Sequence, residues 1–251
     1  MLSESSPPPA IRDRLAGFDP PAAPARFALG VERLDAALGG GLARGRLHEM
    51  WPATEVDGAS AAGFALMLAL RAGGLGGNIV WIAEENGGGR LPPLYPPGLT
   101  DLGADPARLL FVAAPDAKAL LRAAADVVRS PAAGTAVIAP SGSARELTLT
   151  TTRRLTLFAE RSGVTAILLR MRDPEAPSAA TTRWSIASAP SSAMEADAPG
   201  HPAFAADLIR QRGGAPSPGW RLEWDRDVAA FAPLSGDPPA DAGRGRLAAM
   251  G

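Results

Sequence analysis

The chain has 251 residues, 46% hydrophobic and 20% charged, with a net charge of −1, 28 glycines, 25 prolines and no cysteine. That length suits one large domain with tails, and the lack of cysteine excludes disulfides, thiolate metal sites and cysteine nucleophiles. With only His48 and His201, a histidine-rich metal site is excluded; near-neutral charge excludes a whole-surface nucleic-acid footprint, and there is no run of about 18 apolar residues to span a membrane.

Residues 1–26 are rich in Pro, Ala and Ser and read as a flexible leader, with one short helix around Ile11–Gly17. They lack the basic-then-apolar layout of a signal peptide, so a cytoplasmic protein is expected. Arg46–Trp51 is a short strand. Ala59–Ala72 is an Ala-rich helix ended by Gly73 and Gly74. Asn78–Ala83 is a continuous apolar run, as in a parallel strand buried on both faces, and Leu109–Ala113 repeats the signal. A helix over Asp116–Arg129, a buried strand over Thr135–Ala139, a helix over Ser143–Arg161 and a strand over Val164–Arg170 follow.

The last third changes character. Arg183–Ala187, Asp207–Arg212 and Trp220–Asp225 are shorter and alternate in polarity, and Arg212–Gly219 is a turn-rich hairpin connection. The alternation of strands and helices predicts an α/β fold, a mostly parallel sheet flanked by helices, with an antiparallel C-terminal strand extension. The folded domain is expected over 27–232 and a disordered tail over 233–251, where Arg244 and Arg246 lie.

Residues Phe27–Trp51, FALGVERLDAALGGGLARGRLHEMW, place Gly30, Leu34, Asp35, Leu38, Gly39, Gly40, Gly41, Leu42 and Gly45 at fixed spacing ahead of a strand. This resembles the lead-in to the ATPase core of the RecA/RadA/KaiC superfamily, which implies a RecA-like core. In that superfamily the first strand is followed by a P-loop, G-x-x-x-x-G-K-[ST], whose amides cradle phosphates and whose lysine reaches the β/γ-phosphates. The matching stretch here is Ala53-Thr54-Glu55-Val56-Asp57-Gly58-Ala59-Ser60. Gly58 and Ser60 are retained, whereas Ala53 replaces the first glycine and Ala59 the lysine.

The chain's single lysine, Lys118, falls on a later helix, and Glu55 and Asp57 put two carboxylates where phosphate would lie. Glu85 falls at the position of the glutamate that positions the attacking water in recombinase-like members. Alanine or proline (Ala139, Pro140) stands where the Mg²⁺-assisting aspartate belongs. The residues therefore predict a degenerate P-loop with doubtful nucleotide binding, no catalytic residue, no metal and no cofactor.

Recombinases contact DNA through two loops. Here the first is nearly absent after Pro140, and the second, Met171–Thr182, lacks an aromatic and carries Asp173 and Glu175. Residues 145–183 hold seven arginines against four acids, read as a solvated face rather than a phosphate-binding patch. Direct DNA binding is expected to be weak or absent. Trp51 is expected to fill space that a nucleotide occupies in active relatives, Trp220 and Trp224 to be buried, and His48 to be packed rather than a ligand.

Together these features resemble the ImuA family, RecA-like accessory proteins of bacterial damage-induced mutagenesis cassettes, over about residues 27–232. The resemblance implies a non-catalytic adaptor of SOS-induced translesion synthesis. It implies partnership with ImuB, an error-prone C-family DNA polymerase and the RecA recombinase, and a nucleoid-associated location after damage. Two other readings stand beside it: a cell-division inhibitor like SulA, and a divergent KaiC- or recombinase-type ATPase in which Arg44, Arg71 or Arg90 replaces the lysine.

Overall fold

The computed structural model describes residues 23–74, 77–85, 95–141, 145–172, 176–191 and 200–234. In chain order the elements are β1 (Arg26–Phe27), α1 (Glu32–Ala37), β2 (Leu42–Ala43), β3 (Leu47–Pro52), α2 (Gly58–Gly73), β4 (Ile79–Glu84), α3 (Pro96–Asp101), β5 (Leu109–Ala114), α4 (Ala117–Arg129), β6 (Thr135–Ala139), α5 (Leu149–Ser162), β7 (Thr165–Leu169), β8 (Thr182–Ser188), β9 (Ala203–Gln211), β10 (Ser217–Asp225) and β11 (Ala230–Pro233).

Nine strands form one sheet in the order β11-β10-β9-β8-β3-β7-β6-β4-β5. The six strands from β8 to β5 are parallel, and β9, β10 and β11 extend the sheet antiparallel. The expected fold class is therefore present. β1 and β2 form a separate two-stranded antiparallel pair.

Period-two alternation splits each central strand between two apolar layers. Ile79 and Trp81 of β4 join Phe64, Met67 and Leu68 of α2 on one side of the sheet; Val80 and Ile82 join Leu120, Ala124, Leu155 and Ala159 of α4 and α5 on the other. The α2 layer continues under the antiparallel strands. Phe64 lies 4.9 Å from Phe231 and 5.4 Å from Phe204 between ring centroids, and Trp224 lies 5.0 Å from Phe231. One aromatic cluster thus fastens the C-terminal extension to the first long helix.

Several expected boundaries move, each for a local reason. Arg26, placed in the leader, belongs to β1, and its guanidinium donates to the carbonyls of Leu38 and Gly41 at 2.7 Å. The helix expected from Ser143 begins at Leu149, where the Thr148 hydroxyl accepts from the Thr151 amide. The strand expected over Asp207–Arg212 starts at Ala203, because Ala203 and Phe204 pair with Glu223 and Leu222. Leu109–Ala113, read as buried on both faces, is an edge strand with Leu110 and Phe111 exposed. The helix expected over Ile11–Gly17 and most of the expected tail lie outside the described residues.

Candidate functional site

The lead-in motif is an internal brace. Asp35 accepts from the Leu29 amide at 2.7 Å and the Gly30 amide at 3.1 Å, while its main-chain carbonyl takes the amides of Gly40 and Gly41. Leu34 and Leu38 are buried beneath it. Gly30 and Gly41 have φ of +115° and +106°, and a Cβ there would lie 2.5 Å from the Phe231 carbonyl oxygen and 2.2 Å from that of Phe27. These positions are dictated by close backbone approach to β11 and β1.

From β3 the chain turns through Ala53 and Thr54 into a short 3₁₀ turn, Glu55–Asp57, and then directly into α2. Ala53 is held to the β8 side, its amide donating to the Ile186 carbonyl at 2.7 Å. Gly58 is buried at the helix start, Ala59 is exposed and Ser60 is half-buried. The centre of this turn is taken by Asp57, only 5% exposed. Its Oδ2 accepts from the Thr54 hydroxyl (2.6 Å) and amide (3.1 Å); its Oδ1 accepts from the Ser188 amide (2.9 Å) and hydroxyl (3.0 Å).

A carboxylate of the chain itself therefore sits at the positive end of α2, where helix N-termini favour an anion. Burial alone would raise its pKa. The hydrogen bonds from the Thr54 hydroxyl, the Ser188 amide and hydroxyl, and the Thr54 amide outweigh that and hold it below the ordinary carboxylate value.

Beside the turn a cavity of about 610 Å³ opens between α2, the ends of β4 and β5, and α3. Ala59 and Gly63 line it with Trp81, Glu84, Glu85 and Leu99. The structure thus brings the lysine position (Ala59) and the glutamate position (Glu85) to one cavity, and leaves Ala53 outside it. Glu85 is exposed, and its amide donates to the Ala114 carbonyl. Glu84 reaches across the sheet end: its Oε2 accepts from the Ser141 amide at 3.2 Å, and the Ser141 hydroxyl donates to the Glu84 carbonyl at 3.1 Å. Among the described residues the lining contains two carboxylates and no cation, an unfavourable setting for a polyphosphate.

The arginines offered as lysine substitutes lie elsewhere. Arg44 donates to the Ala72 carbonyl and Arg71 to those of Ala28 and Ala229, all at the C-terminal end of α2. Arg71 and Ala72 come 13 and 14 residues after the first residue of that helix, about 20 Å along its axis from the turn. Arg90 lies outside the described residues.

Trp51 does not fill the turn. Its ring lies 5.0 Å from the Arg183 guanidinium, part of a buried cluster that sequence reasoning missed. Glu49 (0% exposed) accepts from Arg170 Nε at 2.5 Å and Arg183 Nη2 at 3.3 Å. Two of the seven arginines assigned to a solvated face are thus engaged on this carboxylate. The loop before β8 closes over the cluster: the Ala179 amide donates to Thr152, Thr156 donates to the Ala179 carbonyl, and Arg210 to the carbonyls of Ser178 and Ala180. Of the expected second DNA loop, Met171–Thr182, residues 178–180 are strapped in this way, and residues 173–175 lie outside the described residues.

His48 is packed, as expected. Its Nε2 bonds to the Ala43 carbonyl (2.9 Å) and its Nδ1 to the Thr182 hydroxyl (2.8 Å), which also accepts from Trp184 Nε1. Complete burial chiefly lowers its pKa to about 4. Trp224 is fully buried, with its Nε1 on the Leu102 carbonyl at 3.0 Å, whereas Trp220 is half-buried. No group of three potential metal ligands occurs among the described residues, nor does any helix there have the length and apolarity to cross a membrane.

No family model matches the chain. Two curated relatives, both Protein ImuA from Caulobacter vibrioides (strains NA1000 / CB15N and ATCC 19089 / CIP 103742 / CB 15), are each 35% identical to it over 199 residues. The matches cover 74% of this chain and 77% of each relative. Similarity of that extent shows the family: the chain belongs to the ImuA family.

Proposed function

We propose that this chain is a non-catalytic adaptor with a RecA-like core that acts in damage-induced mutagenesis. In this reading it tethers ImuB and an error-prone C-family polymerase and contacts the recombinase. The observation that carries the reading is the β3–α2 turn. Where an ATPase of the resembling superfamily holds phosphate with amides and a lysine, this chain has Ala59 and its own Asp57 carboxylate, bonded to Thr54 and Ser188. The acidic cavity beside it and the hydrogen-bonded residues 178–180 before β8 support a reading without ATP chemistry and with little direct DNA contact.

The reading predicts that millimolar Mg·ATP leaves thermal unfolding unmoved, although a ligand at a hundred times its Kd stabilises by about 2.7 kcal/mol. ATP hydrolysis abolished by Ser60→Ala refutes it. Affinity capture of the tagged full chain from DNA-damaged cells should recover ImuB, the error-prone polymerase or the recombinase. Recovery of the tubulin-like division protein in their place moves the chain to the inhibitor class.

A further inference from the structure

Helices α4 and α5 pack side by side and leave a groove of about 540 Å³ between them. Its floor is apolar, formed by Leu121 and Ala125 of α4 and Leu155 and Phe158 of α5. Its rim is cationic: Lys118, Arg122 and Arg129 stand on α4, and Arg154 faces them from α5. These rim residues are exposed.

The rim charges are unequally committed. Arg129 pairs with Asp126, donates from Nε to the Ala125 carbonyl and stacks its guanidinium 5.0 Å from the centroid of Phe158. It therefore closes one end of the floor. Lys118, Arg122 and Arg154 have no ion pair or hydrogen bond among the described residues. Against the groove's four cations stand two carboxylates, Asp126 and Glu146, and Asp126 is already matched. Three uncommitted cations and one acid thus surround an apolar trough, in a chain whose overall charge is −1.

We infer that this groove docks an acidic, amphipathic segment of a partner protein, an apolar side chain such as Leu or Phe seated on the floor and flanking Asp or Glu residues meeting Lys118, Arg122 and Arg154. Charge complementarity selects the sign of the partner, and the apolar floor selects a peptide over a nucleic-acid backbone. A phosphate chain brings no group for Leu121, Leu155 and Phe158, and the aromatic face here is covered by Arg129. The inference deepens the adaptor reading by naming a partner surface, and rests on that reading only for the partner's biological role.

The groove holds the chain's sole lysine, which makes it directly addressable. The full-length protein is titrated by fluorescence anisotropy with a labelled peptide carrying Asp and Glu around a Leu-Phe pair. A peptide with the same acids but alanines for Leu-Phe, and a single-stranded DNA oligonucleotide, serve as comparisons. The amphipathic peptide should bind, weaken with rising salt, and lose about tenfold in affinity in the Arg122→Glu/Arg154→Glu variant. That variant should keep the parent's melting temperature, since both side chains are exposed.

A carbodiimide should join a peptide carboxylate to Lys118 Nζ in the parent and not in the double variant. Equal binding by parent and variant, equal binding of the alanine peptide, or tighter variant-sensitive binding of the DNA overturns the inference. Cross-linking confined to the Met1 amine overturns it as well. Unchanged cellular capture of polymerase components by the double variant overturns it while leaving the adaptor reading intact. Peptide binding without such capture does the reverse.

Discussion

Asp57 is the side chain on which the β3–α2 turn depends, and replacing it measures that dependence. Asp57→Ala removes the acceptor of two main-chain amides and two hydroxyls. A hydrogen bond to a charged group contributes about 1.5–3 kcal/mol. Thr54 and Ser188 are exposed, so water compensates part of the loss and the four bonds do not add. The expected cost is about 2–3 kcal/mol for Asp57→Ala and about 1 kcal/mol for Asp57→Asn, which keeps an acceptor. With a urea slope of about 2–3 kcal/mol per molar, the alanine variant's midpoint should fall by about 1 M.

The charge has its own signature. The folded-state pKa lies below the unfolded value of 3.8, so the stabilisation is fully present above that value and is lost as pH falls through the folded one. Urea melts at a series of pH values should show the parent losing this increment below about pH 4, while Asp57→Asn, which cannot titrate there, converges on the parent at the acid end. An alanine midpoint within about 0.2 M of the parent, or parallel acid limbs in parent and Asn variant, refutes the assignment of Asp57 as the group that closes the turn.

Glu49→Gln leaves Arg170 and Arg183 buried without their carboxylate and should cost about 3–5 kcal/mol by urea unfolding; a loss under about 1 kcal/mol contradicts the cluster's geometry. Phe64→Ala opens a void where α2 meets Phe204 and Phe231 and should destabilise by about 3–5 kcal/mol in the same measurement, a smaller loss meaning that the antiparallel strands close over the gap. His48, lowered to about 4, binds its proton more weakly folded than unfolded, so stability should fall as pH drops from about 6.5 toward 4, by about 3 kcal/mol in all. An imidazole resonance of His48 that titrates above pH 6 by NMR overturns that expectation.

How legible each feature was follows from the range of the interactions that make it. The apolar runs of β4, β6 and β7 and the alanine-rich α2 announce themselves because burial on both faces leaves few polar residues to confuse the pattern. The same rule misreads β5, whose Leu110 and Phe111 face outward at a sheet edge that no local pattern reveals. The start of β9 is blurred by small residues, Ala203, Ala205 and Ala206, that carry weak hydrophobic contrast. The lead-in brace is legible because Asp35 bonds residues five and six positions away. Within the turn, the Thr54–Asp57 pairing is a readable capping box. Its second clasp, Ser188, lies 131 positions downstream and becomes visible only when β8 is placed beside β3. The Glu49–Arg170–Arg183 cluster is hidden for the same reason, its partners lying 121 and 134 positions apart.

The contacts that hold β3 and α2 in place are separable from the chemistry of the turn between them. Phe64, Met67 and Leu68 bury the inner face of α2, and β3 is paired on both sides by β7 and β8. None of these contacts involves residues 53–57, so the turn's composition is free to differ without loss of the elements it joins. What the turn does require is an acceptor for the amides of Thr54 and Ser188, which Asp57 provides and water replaces only in part. A bound phosphate is one way to place acceptor oxygens near a helix N-terminus; Asp57 places its own there with no ligand, bonded to Thr54 and Ser188 rather than to the helix amides. On the proposed reading, a turn that carries its own anion keeps the recombinase-like shape of the strand–helix unit independent of nucleotide. That constancy is what a surface used to hold other proteins needs.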